Sequence, residues 1–92
     1  MIKTNELTVG KWFKNLRLEE GLTLANLSDM SSFNITTIYR IENNRNFPNP
    51  ATIISLLRLM FGDDDKRFEK ERATYYTLRQ RYLNNKNLKE NK

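Results

Sequence analysis

The sequence predicts an all-α protein of five helices, and three observations carry that reading. Apolar residues recur three and four apart from Val9 onward, which is the period of a helix face rather than the period of two that marks a strand. A Thr, Asn or Asp stands just ahead of each periodic segment, where a side-chain oxygen can accept an orphan backbone N–H of the first turn. Gly or Asn then closes most segments, because both tolerate the left-handed conformation that ends a helix.

Taken in order, Thr8 caps a first helix with Val9, Trp12, Phe13 and Leu16 on its apolar side. That helix ends near Glu20, with Gly21 free to turn left-handed. Thr23 caps a second, short helix with Leu24, Leu27 and Met30 as its stripe. Ser31 and Ser32 weaken it, so the turn falls there, and Phe33 plugs the turn into the core. Asn34 caps the third helix, which turns Ile38 and Ile41 inward and stops at Asn43 and Asn44. The loop NNRNFPNP follows, and Asn49 before Pro50 is a clean helix start. In this fourth helix Ile53, Ile54, Leu56, Leu57, Leu59 and Met60 cover most of the circumference, which places it at the centre of the core or at an interface. It ends about Phe61, closed by Gly62.

Asp63, Asp64 and Asp65 open a fifth helix with charge that favours its positive end. It runs to about Leu83, with Phe68, Tyr75, Tyr76, Leu78, Tyr82 and Leu83 along one side. The spacing of seven between Phe68, Tyr75 and Tyr82 resembles the seam of a helix pair. The last stretch, NNKNLKENK, is polar and basic and reads as a frayed tail.

Composition bounds the chemistry. Ninety-two residues fit one domain with a modest core. A formal net charge of +5 fits a polyanionic partner. The chain has neither Cys nor His, so disulfides are excluded and any zinc site would rest on carboxylates alone. General acid–base and nucleophilic mechanisms lean on those two residues, so we expect no enzyme, no cofactor and no metal. No apolar run approaches the ~18 residues that cross a bilayer, and the N-terminus lacks an apolar signal-peptide core. The expectation is a cytoplasmic protein that does not enter a membrane.

Residues 22–45 form the most informative stretch: two short amphipathic helices joined by a tight turn, the second with polar and aromatic side chains opposite its core residues. That layout suits a helix placed in the major groove of DNA. In this setting residues 9–62, which are 54 of 92, resemble the helix-turn-helix domain of the phage repressor and Cro-like (XRE-type) regulators. The resemblance rests on Phe13, Leu16 and Arg17, then Gly21, Leu22 and Thr23, then Leu27, then Ile38, Ile41 and Glu42, then Pro48 and Thr52 before an apolar ladder. It implies a lambda-repressor-like fold in residues 1–62 and a C-terminal extension, 63–92, that packs or dimerises. Two departures stand out. Leu24 replaces a Gln that in the family touches a phosphate, and Ser28, Ser31 and Ser32 stand where Ala, an apolar residue and Gly are common. Ser32 is thereby expected to take, at some cost, turn geometry that glycine usually supplies.

The outward face of the third helix is Ile35, Thr36, Tyr39, Arg40 and Asn43. The resemblance implies base readout from Ile35, Thr36 and Arg40. Arg can donate two hydrogen bonds to guanine, Thr can bond several bases, and Ile can pack on a thymine methyl. Tyr39 can reach a base or a phosphate. The alternative is an ordinary solvated face, but an exposed Ile beside an Arg is costly without a partner. Phosphate contacts are expected at Thr23, Asn34 and Thr37, where helix starts offer free N–H groups, and at Asn43 and Arg45, which match family positions that grip the backbone. The resemblance further implies a buried ion pair between Arg17 and Glu42. The fifth helix either packs on the core, with Trp12 and Leu59 as contacts, or pairs with a second copy. Leu59, Phe68, Tyr75, Leu78 and Tyr82 are the dimer candidates, and a homodimer is expected. Residues 63–92 carry nine Lys or Arg against six acids, which does not suit an acidic toxin-binding arm.

These readings imply a sequence-specific regulator of double-stranded DNA, a repressor on a two-fold operator. The alternatives are an antitoxin that holds a protein partner and autoregulates its operon, or a helical adaptor that binds only protein.

Overall fold

Five helices and no strand make up the described residues. The computed structural model describes residues 7–90, with side chains as far as residue 85. The helices are α1 (Val9–Glu19), α2 (Leu24–Met30), α3 (Ile35–Glu42), α4 (Pro50–Phe61) and α5 (Asp65–Glu90). No helix among them is long and apolar enough to cross a membrane.

Each start is built by the residue that the sequence offers for it. The Thr8 hydroxyl accepts from Lys11 N–H at 3.1 Å, Asn34 Oδ1 from Thr37 N–H at 2.8 Å and Asn49 Oδ1 from Thr52 N–H at 2.9 Å. For α5, Asp64 Oδ1 accepts from Arg67 N–H at 3.1 Å. The start of α2 is reciprocal: Thr23 Oγ1 accepts from Asn26 N–H, and Asn26 Oδ1 accepts from Thr23 N–H. Such a box satisfies two orphan donors at once. At the end of α1, Gly21 takes φ +72° and Leu22 N–H reaches back to Arg17 O at 3.0 Å, the wrap that closes helices on a left-handed residue.

The turn from α2 to α3 differs from expectation. Asn44 is the sole non-glycine residue with positive φ among the described residues, so Ser32 is not in the left-handed region and carries no such strain. Hydroxyls make the turn instead. Ser28 Oγ donates to Phe33 O at 3.0 Å, and Ser31 Oγ accepts from Phe33 N–H at 3.2 Å. Phe33 is held partly buried against the core, as is Leu24.

One core joins all five helices. Phe13, Leu27, Ile38, Ile53, Leu56, Leu57 and Tyr75 are fully buried within it. Helix α3 packs on α1 and α2, while α5 packs on α4 and α1. Three of the five candidates for a dimer seam therefore move to the inside: Phe68, Tyr75 and Leu78 lie in this core, where a second copy cannot reach them. Spaced seven and then three residues apart, they form the stripe that seats α5 on its own chain. Tyr82 is partly exposed, with its ring stacked on Phe47 at 4.1 Å between centroids and 8° between planes. Leu59 is exposed on α4. Helix α5 also runs past Leu83 to Glu90, so residues 84–90 of the tail are helical; residues 91–92 lie outside the described residues.

Two polar groups tie α5 down. Tyr75 Oη donates to Pro48 O at 2.8 Å inside the core. The buried Glu71 carboxylate accepts from Trp12 Nε1 at 3.0 Å and from Arg67 Nε at 3.0 Å. Arg67 also donates to Glu19 at 3.1 Å, so one chain of contacts links α5 to both ends of α1.

Candidate nucleic-acid interface

Helix α3 is seated by its inner face and open on its outer one. Ile38 and Ile41 are in the core, and Glu42 is buried beside them. Arg17 meets Glu42 with both prongs of its guanidinium: Nε to Oε2 at 2.6 Å and Nη2 to Oε1 at 2.9 Å. Its third group, Nη1, donates to Leu22 O at 2.7 Å. The bond to Glu42 raises the Arg17 pKa above its ordinary value, outweighing the opposing effect of burial. Two charges taken out of water require this completeness of pairing. The pair fixes the rotation of α3 about its axis and so decides which residues face out.

Those residues are Ile35, Thr36, Tyr39, Arg40 and Asn43, all exposed and all on one side of the helix. Ile35 is 45% and Tyr39 50% exposed, which is high for large apolar bodies that ordinarily gain by burial. The arginines beside them are uncommitted: among the described residues neither Arg40 nor Arg45 has a side-chain hydrogen bond or ion pair. Residues 31–62 contain one carboxylate, Glu42, and it is buried and neutralised by Arg17. The outer surface of α3 and its flanking loops is thus free of negative charge.

The other expected contacts separate by how much of each group is already used. Asn34 spends Oδ1 on Thr37 N–H, leaving its amide N–H₂ and the N–H groups of Ile35 and Thr36 open at the start of α3. Thr37 is half-buried, and its backbone N–H is taken by Asn34. Asn43 Nδ2 donates one hydrogen to Tyr39 O at 2.9 Å, which leaves its second N–H and its carbonyl oxygen. Arg45 is held just past the last turn of α3 by its N–H to Arg40 O at 2.8 Å, and it is exposed. Thr23 stands apart from this group. It opens α2, and its hydroxyl oxygen and its N–H both serve the capping box.

A glycine that the sequence reading passed over sets the approach of α1 to α3. Gly10 N–H donates to Asn44 Oδ1 at 3.1 Å. A Cβ on Gly10 would stand 2.5 Å from Ile41 O and 2.7 Å from Glu42 O, closer than real Cβ atoms approach a backbone oxygen. Asn44 reaches this bond from φ +59°. The carboxyl end of α3 is therefore clamped by bare backbone on one side and by the Arg17 pair on the other.

This chain matches no family model, no curated protein and no solved structure.

Proposed function

We propose that this protein is a helix-turn-helix regulator of the lambda-repressor-like kind, which binds duplex DNA by laying α3 in the major groove. The observation that carries the reading is the outer face of α3. A helix locked on its inner side leaves Ile35, Thr36, Tyr39 and Arg40 in solvent, in a stretch, residues 31–62, whose one carboxylate is the buried Glu42. Their chemistry matches base edges: bidentate Arg40 for guanine, Thr36 for a mixed donor–acceptor edge, Ile35 for a thymine methyl. Arg45, Asn43, Asn34 and Thr37 flank that row as backbone contacts, which position the protein without reading sequence.

Occupying a promoter suffices for repression, and two copies on a two-fold operator would place half-sites about one helical turn, ~34 Å, apart. The copies would meet without Phe68, Tyr75 and Leu78, which lie in the core.

Selection of bound sequences from a random duplex pool tests the reading. The expected product is a palindrome. Arg40→Ala should cost about 1–3 kcal/mol of binding and relax preference at one base pair, while Arg45→Ala should weaken all sequences alike and lower the salt slope by about 1. No enrichment of any sequence, at low salt and micromolar protein, would overturn it. Sedimentation reading a monomer at that concentration would overturn the paired arrangement alone.

A further inference from the structure

A cleft of about 330 Å³ lies where three parts of the chain meet: the start of α1, the loop from α3 to α4, and residues 78–85 of α5. Packed interiors leave few voids larger than a water molecule, and sites for small ligands begin at about 300 Å³. Val9, Ile41, Pro48 and Leu78, all buried, supply an apolar lining. The stacked rings of Phe47 and Tyr82 add an aromatic part to it.

Three ties hold the walls. Gly10 N–H donates to Asn44 Oδ1 at 3.1 Å, Tyr75 Oη donates to Pro48 O at 2.8 Å, and the Phe47 ring lies on that of Tyr82. The cleft is therefore formed before any ligand arrives, and binding need not order it first. Its charge is one-sided: among the described residues the lining contains Arg45 and Arg81 and no Asp or Glu. Arg45 is exposed and has no side-chain partner among the described residues. The side-chain amides of Asn46 and Asn85, at the same cleft, form no hydrogen bond there either. Apolar walls with a few convergent polar groups are the usual make-up of a small-ligand site. A second groove, beside Met30, Phe33, Ile54 and Leu59, is apolar as well, but its cation, Arg58, is already spent on Asp65 and on the Phe68 ring.

We propose that the cleft between the α3–α4 loop and α5 is a binding site for a small, flat aromatic carboxylate. The ring lies against the aliphatic lining and the Phe47–Tyr82 pair, where aromatic contacts add to burial. The carboxylate meets the Arg45 guanidinium, whose planar fork matches it with two parallel N–H···O bonds. Asn46 and Asn85 offer further donors to the same group. This site stands without the DNA reading, although both call on Arg45. A cleft that is only loosely packed would take aromatic molecules without regard to charge, so the contribution of Arg45 separates a built site from a gap.

The test titrates the full chain with cinnamate, with its neutral counterpart cinnamamide and with the aliphatic acid hexanoate, reading backbone amide shifts by NMR. Saturable shifts are expected at residues 44–47 and 81–85, with half-saturation by cinnamate at about 1 mM or below. Cinnamamide should bind there about fivefold more weakly, and hexanoate should not saturate the same residues. Arg45→Gln, a change at an exposed position that the core does not feel, should weaken cinnamate about fivefold and leave cinnamamide unchanged. Arg40→Gln, exposed on α3 and outside the cleft, should bind both as wild type does. Absence of saturation by cinnamate up to about 10 mM, shifts centred on the second groove, hexanoate binding as tight as that of cinnamate, or cinnamate binding that Arg45→Gln leaves intact each overturns the inference. Failure to bind any duplex overturns the reading of α3 and leaves this site in place.

Discussion

Helix α1 meets a buried carboxylate on each of two sides, and the two joints are built differently. Toward α3, Glu42 faces Arg17 in a fork of two bonds, with both side chains almost wholly out of water at 7% and 2% exposure. Toward α5, Glu71 takes one bond from the neutral Trp12 indole and one from Arg67, whose side chain is 33% exposed. Arg67 divides itself further between Glu71 and Glu19. The first joint is dry, charged and complete, and α3 has one way to sit. The second is open to solvent on one side, so water can screen it and replace part of it.

Removing one partner from each joint measures that contrast. Arg17→Ala strands Glu42 as an unpaired buried charge, and should cost about 3–5 kcal/mol in urea or thermal unfolding. Lys14→Ala, an exposed cation of the same helix, should stay within about 0.5 kcal/mol. Equal midpoints for these two variants would break the comparison at its stronger end. Glu71→Ala should cost less, about 1–3 kcal/mol, because the orphaned indole N–H is the main loss and Arg67 keeps Glu19. A loss matching that of Arg17→Ala would erase the distinction.

The smallest effect sharpens the α5 side. Tyr75→Phe removes the bond to Pro48 O and should cost about 1 kcal/mol. It should also change the response to alkali. Burial pushes the Tyr75 phenol above its ordinary value of 10.0, so the unfolded chain gives up this proton at lower pH than the folded one. The contribution of Tyr75 is therefore complete below pH 10 and is lost as pH rises through the folded value. Stability of wild type should fall more steeply than that of Tyr75→Phe above that point. Parallel curves would mean that the phenol does not titrate with unfolding.

Much of the architecture was legible because it is local. Thr8, Thr23, Asn34 and Asn49 each announce a helix start, and the chain uses all four. The inward Ile38 and Ile41 follow from helical spacing, and so does the outward row on α3. What escaped was whatever depends on which element covers another. The repeat of Phe68, Tyr75 and Tyr82 shows that one side of α5 is apolar, but periodicity cannot say whether a second chain or the same chain lies upon it. Glu71 had a signal: it interrupts the 3-4-3-4 spacing of Phe68, Tyr75, Leu78 and Tyr82, and a buried Trp needs an acceptor for its N–H. Gly10 had none, since the oxygens it approaches, on Ile41, Glu42 and Asn44, lie more than thirty positions away in the chain. Helix α5 outran its expected end because residues 65–90 contain neither Gly nor Pro to stop it.

Trp12 is the chain's one tryptophan, and it stands at the more yielding joint, hydrogen-bonded to Glu71 and stacked on Tyr75 with 6.2 Å between rings. The molecule therefore contains its own optical gauge of whether the fifth helix is docked. A red shift in indole emission that precedes any loss of far-ultraviolet ellipticity would mark α5 swinging away while the other four helices hold.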